Sequence, residues 1–450
     1  MDKDIIKLVN DRLNGQETFS TGANNYRLWL DMYRDESPWL GTETFSMGLP
    51  SSIASELARL TTIEMKSEIA NDEDLNVDYQ KVVDSARVFT EYGLALGGII
   101  LKPFITKDRI EVDYITPDLY IPISFDNSGN IDHIVFIDEV QRGKFYYRRI
   151  EEHDLTGSSY IINNSCFMSQ SENRLGEEMP LDTLDMWATL AKTATIVNVD
   201  KPLFGYFKNP QANNLDLTSP MGVSCYSRAT SLIQDVDEQY SRILWEYEGS
   251  ELAVDADVTA LKNSNKLPVR KERLFRNLGL DQPDGFYEVF SPNIRDQSLF
   301  NGLNKMLMRV EFTCGLAYGT LSDMQLVTKT AEEIKSSKQR SYSTVVDIQK
   351  SLQKALIDLV DAMLILRNFY LNKPIVEPEI SFQFDDSLIE NTDIIAQRAM
   401  LEFQSGLIDK VEYYKKVYKY SEEQAIQLSK EIESRSPQPQ DMDFFNSGEE

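Results

Sequence analysis

The sequence predicts an α+β protein in which helices and antiparallel strands occupy separate stretches of the chain. Three observations carry this. Residues 293–316 and 329–371 read as two long helices separated by a non-helical, hinge-like insert at 317–328. Residues 99–168 change to the two-residue alternation of half-buried strands, punctuated by turns. Residues 1–97 and 391–434 return to helical spacing on either side.

The elements follow in order. Residues 1–70 read mainly as helix: Tyr26, Trp29 and Tyr33 recur at helical spacing, Ser37-Pro38 turns the chain before Trp39, and Ile53, Leu57, Leu60 and Met65 mark an amphipathic helix after Pro50. A further helix is expected over about 77–97, ending at Gly97-Gly98. Ile99-Ile100-Leu101 leads into a turn at Thr106-Lys107-Asp108, and Ile110, Val112 and Tyr114 then alternate with polar residues. A strand at 119–125, a turn at 126–130 and a returning strand from Ile131 to Val140 follow, and the runs 144–150 and 158–168 extend an antiparallel meander. Residues 169–222, with Pro180, Pro202, Pro210 and Pro220, read as irregular.

Helix resumes over 223–250, where Ile233, Val236, Tyr240, Ile243 and Tyr247 step by three or four; 252–292 reads as short strands and loops. Thr330-Ala331-Glu332-Glu333 fits a capping box at the start of the longest helix. That helix is polar to Arg340 and then carries Val345, Ile348, Leu352, Leu356, Leu359, Met363 and Leu366 on one stripe. A strand at 379–384 and helices near 391–404 and 409–434 complete the fold, and the acidic, Pro-containing tail 436–450 is expected to be disordered.

Composition narrows the function. With 450 residues the chain is long enough for a large core and more than one domain. A net charge of −26 repels nucleic acid at a distance, because phosphates attract proteins through Lys and Arg. Cys166, Cys225 and Cys314 are far apart and odd in number, with neither zinc spacing nor a disulfide framework, as in a reducing compartment. His133 and His153 are the only histidines, which disfavours histidine-based catalysis. The opening MDKDIIKLVNDRLNG does not read as a signal peptide, and no apolar run approaches the ~20 residues that span a bilayer. No metal, cofactor or catalytic residue is expected.

Several constellations have competing readings. Gly93, Gly97 and Gly98 lack the strand–loop–helix context of a phosphate-binding turn and read as tight helix-to-strand packing. Asp385 and Asp386 read as a turn with a helix N-cap before they read as cation ligands, and His153-Asp154 has no nucleophile motif beside it. The run 262–276 holds Lys262, Lys266, Arg270, Lys271, Arg273 and Arg276 against Glu272 alone. Such a patch is either a solvated loop face or a docking surface for nucleic acid or an acidic partner. Asp235, Asp237, Glu238, Glu246 and Glu248 on the 223–250 helix are an ordinary exposed face or an acidic wall beside a polyanion. The insert 317–328 exceeds the about 2–8 residues usual between bundled helices, which favours a functional loop.

Taken together, NNYRLWLDMYRDESPWL, EYGLALGGIILKPF with IEVDYITPDLYIPISFD, DKPLFGYFKNPQANN, CGLAYGTLS with VTKTAEEIKS, and SFQFDDSLIEN resemble, in order and spacing, the portal proteins of tailed double-stranded DNA bacteriophages, in the siphophage branch of Gram-positive hosts. The resemblance covers about 20–435.

It implies a non-enzymatic virion protein, assembled in the host cytoplasm into a dodecameric ring at one capsid vertex, through which double-stranded DNA is packaged and ejected. The terminase motor, head-completion adaptor, major capsid and scaffold proteins would be its partners, with no membrane involved. It maps the wing to 1–222 with 372–390, stem helices to 223–251 and 293–316, the clip to 252–292, the tunnel loop to 317–328, the long channel helix to 329–371, and the crown to 391–435. Tyr318, Gly319, Thr320, Leu321, Ser322, Asp323, Met324 and Gln325 would form the loop; Lys266, Arg270, Lys271, Arg273 and Arg276 the clip's partner surface; and Asp235, Glu238, Glu246 and Glu248 the acidic stem face. The insert has no basic residue, so a loop that grips DNA would do so by shape or backbone groups. Another virion structural or adaptor protein of the head–tail junction, and more remotely a hydrolase using Asp385, Asp386 or His153, are the alternatives.

Overall fold

The computed structural model describes residues 23–107, 109–172, 174–249, 253–256, 275–277, 287–290, 294–323, 331–384, 392–418 and 420–435. They fall into two units, one ending at Phe384 and one beginning at Asp385. The basic run apart from Arg276, the Thr330 cap, Asp385, Asp386 and the tail lie outside the described residues.

The first unit opens with α1 (Ala23–Tyr33) and α2 (Leu49–Thr62). Tyr26, Trp29 and Met32 of α1 and Ile53, Ala54, Leu57 and Ala58 of α2 are buried in one core. The expected helical run to residue 70 ends early. Residues Met65–Ile69 form β1, which pairs antiparallel with β14 (Ile380–Phe384) in the register Met65↔Phe384 to Ile69↔Ile380. The interval from Leu60 to Met65 is five residues, so Met65 had already left the helical stripe.

The helix expected over 77–97 is two helices, α3 (Glu73–Asp84) and α4 (Ala86–Leu96). Asp72 caps α3 by accepting from Leu75 N at 3.1 Å, and the break comes at Ser85, whose hydroxyl donates back to Lys81 O. Gly97, at φ +94, ends α4, and a Cβ there would stand 2.7 Å from Gly222 O. The tight helix-to-strand packing expected of the glycines is made by Gly93, where a Cβ would stand 2.5 Å from Phe207 Cδ1 of the strand Gly205–Lys208.

The expected meander is divided between two sheets. β2 (Gly98–Thr106) lies between β3 (Arg109–Ile115) and β10 (Gly205–Lys208). β4 (Tyr120–Phe125), β5 (Ile131–Arg142), β6 (Phe145–Thr156), β7 (Ser159–Ser169) and β8 (Glu177–Met179) form the second sheet in chain order, with β9 (Thr193–Val197) also on β7. Pro117 separates β3 from β4 in a turn closed by Leu119 N donating to Thr116 O, and it has no N–H with which to continue a ladder. β8, β9 and β10 are short strands inside the stretch expected to be irregular.

Helix α5 (Thr230–Gly249) precedes a mixed sheet in which β11 (Ala253–Ala256) pairs parallel with β12 (Phe275–Asn277) and antiparallel with β13 (Tyr287–Phe290). Next come α6 (Asp296–Cys314) and the 41-residue α7 (Ala331–Leu371). On α7, Val345, Ile348, Leu352, Leu356, Leu359 and Met363 are all buried, as the stripe predicted. Each such side chain contributes about 1.5–3 kcal/mol by leaving water, far above any difference in helix propensity. Ser351 donates to Lys208 O at 2.5 Å, tying α7 to β10. The far end of α7 is fixed by Arg367, which grips Asp72 with both terminal nitrogens.

The second unit holds α8 (Thr392–Gln404), α9 (Lys410–Tyr418) and α10 (Glu422–Arg435). The expected single helix over 409–434 is broken before α10 by a capping box: Gln424 N donates to Ser421 Oγ, and Ser421 N to Gln424 Oε1.

Candidate functional site

The connection between α6 and α7 is built around a buried carboxylate. Leu303, Leu307, Val310 and Cys314 form the apolar stripe of α6, and Asn304 and Glu311 are buried with them. Helix α6 ends at Gly315, with φ +76, and Leu316 N donates to Glu311 O at 2.9 Å. The chain then folds back over its own helix. Glu311 Oε1 accepts from the backbone N–H groups of Gly319 at 3.1 Å, Leu321 at 2.6 Å and Ser322 at 2.8 Å, and Oε2 accepts from Ser322 Oγ at 2.9 Å. Asn304 closes the far side: its Oδ1 accepts from Asp323 N at 2.7 Å and its Nδ2 donates to Asp323 O at 3.0 Å.

A buried carboxylate is costly unless its lone pairs are filled, and here four donors fill them. The first half of the hinge-like insert is therefore a hydrogen-bonded turn. Ser322 is 7% exposed, whereas Gly319, Thr320 and Asp323 face solvent. From α7, the Arg340 guanidinium lies 4.2 Å from the Phe312 ring centre and 5.7 Å from that of Tyr318. Met324 and Gln325 lie outside the described residues.

On α5, the expected acidic face is partly neutralised. Asp235 and Glu248 are exposed. Glu238 has Arg242 at 3.6 Å, and Glu246 receives the Arg295 guanidinium at 3.0 and 2.9 Å, which holds its carboxyl below the usual range and joins α6 to α5. Asp237 does not belong to that face. It is buried, accepting from Trp39 Nε1 at 3.0 Å and Met47 N at 2.9 Å, and burial pushes its carboxyl above the usual range.

His153 is also structural. Its ring nitrogens lie 2.8 Å from Tyr160 Oη and 2.8 Å from Glu151 Oε1, and burial lowers its pKa. Burial disfavours the charge of Glu151, but Lys102, His153 and Arg149 outweigh it and hold that carboxyl well below the usual range. Lys102 Nζ is 2.6 Å from it. The cluster is a closed ion-pair network without a nucleophile. Among the described residues, no group of three or more His, Cys, Asp and Glu side chains is placed to hold a metal ion, and no helix is long and apolar enough to cross a membrane.

No curated protein matches the sequence. The family model described as "Phage portal protein, SPP1 Gp6-like" matches residues 61–438. The chain belongs to this family. A solved structure described as "Neck of empty GTA particle computed with C6 symmetry" is similar at 10% identity, over 89% of this chain and 94% of that chain, with a TM-score of 0.45.

Phage portal proteins are structural components of the virion and not enzymes. The family match therefore displaces both the adaptor and the hydrolase readings. In this portal protein, Lys266, Arg270, Lys271 and Arg273 lie outside the described residues, and Arg276 is placed by its backbone alone, opposite Asp255 in the parallel β11–β12 register. The insert itself was legible from its length. Glu311, Asn304 and Arg340, which shape it, were not. The signal for the first two was present: 304, 307, 311 and 314 share one helical face, so two polar residues sit on an otherwise apolar stripe.

Proposed function

We propose that this portal protein closes into a ring, dodecameric as in the family it resembles, and serves as the conduit for genome packaging and ejection at the portal vertex. In this reading α5 and α6 are the stem, β11–β13 belong to the clip, the turn after α6 begins the tunnel loop, α7 is the channel helix, α8–α10 belong to the crown, and the remaining elements of the first unit form the wing. The terminase motor and the head-completion adaptor dock at the clip, and capsid and scaffold proteins surround the ring. The order of the sequence motifs, which resembles that of siphophage portal proteins of Gram-positive hosts, supports assigning it to that branch.

The observation that carries the reading is the family match over 61–438, which spans both long helices and the turn between them. Charge supports it. A conduit must hold a duplex without binding it, since each Lys or Arg contact to phosphate adds affinity and slows passage. A chain with 72 acidic against 46 basic residues offers few such contacts. Electron microscopy of purified protein, with and without scaffold and capsid proteins, is expected to show rings with a central hole. Monomers under every one of those conditions would overturn the proposal.

A further inference from the structure

A cleft of about 390 Å³ opens between the 128–131 turn, β10 and the middle of α7. Three lysines line it, Lys201, Lys208 and Lys354, against a single aspartate, Asp358. Lys201 is committed to Asp361 at 2.7 Å. Among the described residues neither of the other two makes a direct ion pair, although Asp358, four residues on, and Asp126 lie near enough to feel the charge of Lys354. Lys208 Nζ donates to Pro220 O at 2.9 Å and Lys354 Nζ to Asn130 Oδ1 at 2.8 Å, both neutral acceptors. Burial, and then Lys354, lower the pKa of Lys208, so the two ammonium groups repel each other across the cleft. Lys208 is half-buried and Lys354 exposed, and holding their like charges together there is unfavourable until an anion joins them.

We infer that this cleft receives an acidic side chain from a neighbouring copy of the same chain, so that Lys208 and Lys354 form an intersubunit ion-pair site. The inference rests on the ring reading, because only an assembly brings a second copy to the cleft. Charge complementarity selects the occupant: a surface this acidic presents carboxylates at most points of contact, and assembly raises their local concentration. A rigid duplex cannot enter a cleft of this size to reach a half-buried lysine. Asp358, also in the lining, weighs against a doubly charged phosphate more than against a single carboxylate. Phe204, Pro202 and Ile131 supply an apolar wall for the aliphatic stem of a glutamate or aspartate.

The test is zero-length carbodiimide coupling of assembled rings made from an equal mixture of light and heavy-isotope protein, read by mass spectrometry. Mixed-isotope peptides joining Lys208 or Lys354 to an Asp or Glu are the expected product. The double variant Lys208→Gln/Lys354→Gln should need a roughly tenfold higher concentration to assemble, and Lys350→Gln, one helical turn away on α7, should not. Should the double variant misfold, Lys354→Gln alone, at an exposed position, is expected to raise the assembly concentration in the same direction. Rings that form normally with no mixed-isotope link to either lysine overturn the inference and leave the ring reading intact. So does a rise in the melting temperature of unassembled protein with millimolar phosphate while assembly of the variants is unchanged, which marks a small-anion site. Wild-type protein that never forms rings refutes the ring reading itself.

Discussion

For single residues, Glu311 decides the shape of the first half of the insert, 317–323. One carboxylate oxygen collects three backbone N–H groups and the other a hydroxyl, so removing the carboxylate strips the Leu321 and Ser322 N–H groups of their acceptor, while Gly319 N keeps only Ser322 Oγ at 3.2 Å. Glu311→Ala is expected to destabilise the protein by about 2–4 kcal/mol and to open the turn to proteolysis. Glu311→Gln should cost only about 1 kcal/mol, because the amide carbonyl can take the N–H groups while its NH₂ donates to Ser322 Oγ. Equal losses in thermal denaturation would show that size, not hydrogen bonding, is what matters there. Asp72 is a second such residue. Arg367 holds its carboxyl below the usual range, with the Leu75 N–H adding to the effect. A folded pKa below the unfolded one means the contribution is complete above about pH 4 and is lost as pH falls through the folded value. Asp72→Asn keeps the helix cap and loses the ion pair. After allowance for solvent screening it should cost about 1 kcal/mol at pH 7 and nothing once the wild-type carboxyl is protonated. A pH-independent difference in urea unfolding would contradict this.

At the scale of the element, the α6–α7 connection depends on Gly315. Its φ is +76, and an added Cβ would stand 2.5 Å from Thr344 Oγ1 on α7. Gly315→Ala is therefore expected to cost about 2 kcal/mol or more. Combining it with Thr344→Ala should recover the part due to contact but not the part due to backbone, and full recovery in a double-mutant cycle would show that the left-handed conformation is not strained. Element boundaries also show how far a sequence can be read. The stripes Val345 to Met363 and Ile233 to Ile243 repeat often enough to fix their helices unaided. The break at Ser421 is legible from Ser421 and Gln424 as a capping box, although the apolar spacing on either side of it stays in phase. β1 was not legible. Its partner is β14, more than 300 residues away, and a five-residue strand has too few alternations to announce itself.

At the scale of the whole molecule, charge is the quantity that matters. The surface that discourages duplex binding also makes copies of the chain repel one another, so cationic positions acquire disproportionate weight. We expect the Arg270→Glu/Lys271→Glu/Arg273→Glu variant to lose docking of the packaging motor or the head adaptor in a pull-down while still forming rings. Rings that fail by electron microscopy would instead assign that patch to contacts between subunits. The cleft lysines should show the opposite pattern, with assembly impaired and docking by assembled rings preserved.

The α+β class, the two long helices, the insert between them and the family are all readable from the order of residues, because periodicity and motif order are properties of neighbouring residues and survive without a fold. Only the tertiary structure decided that the insert begins as a pinned turn, that Asp237 and His153 are internal, and that Lys208 and Lys354 share a cleft 146 residues apart in the chain. Those facts depend on which buried donor meets which acceptor and which charges are left over, and no local pattern encodes a pairing made across the core.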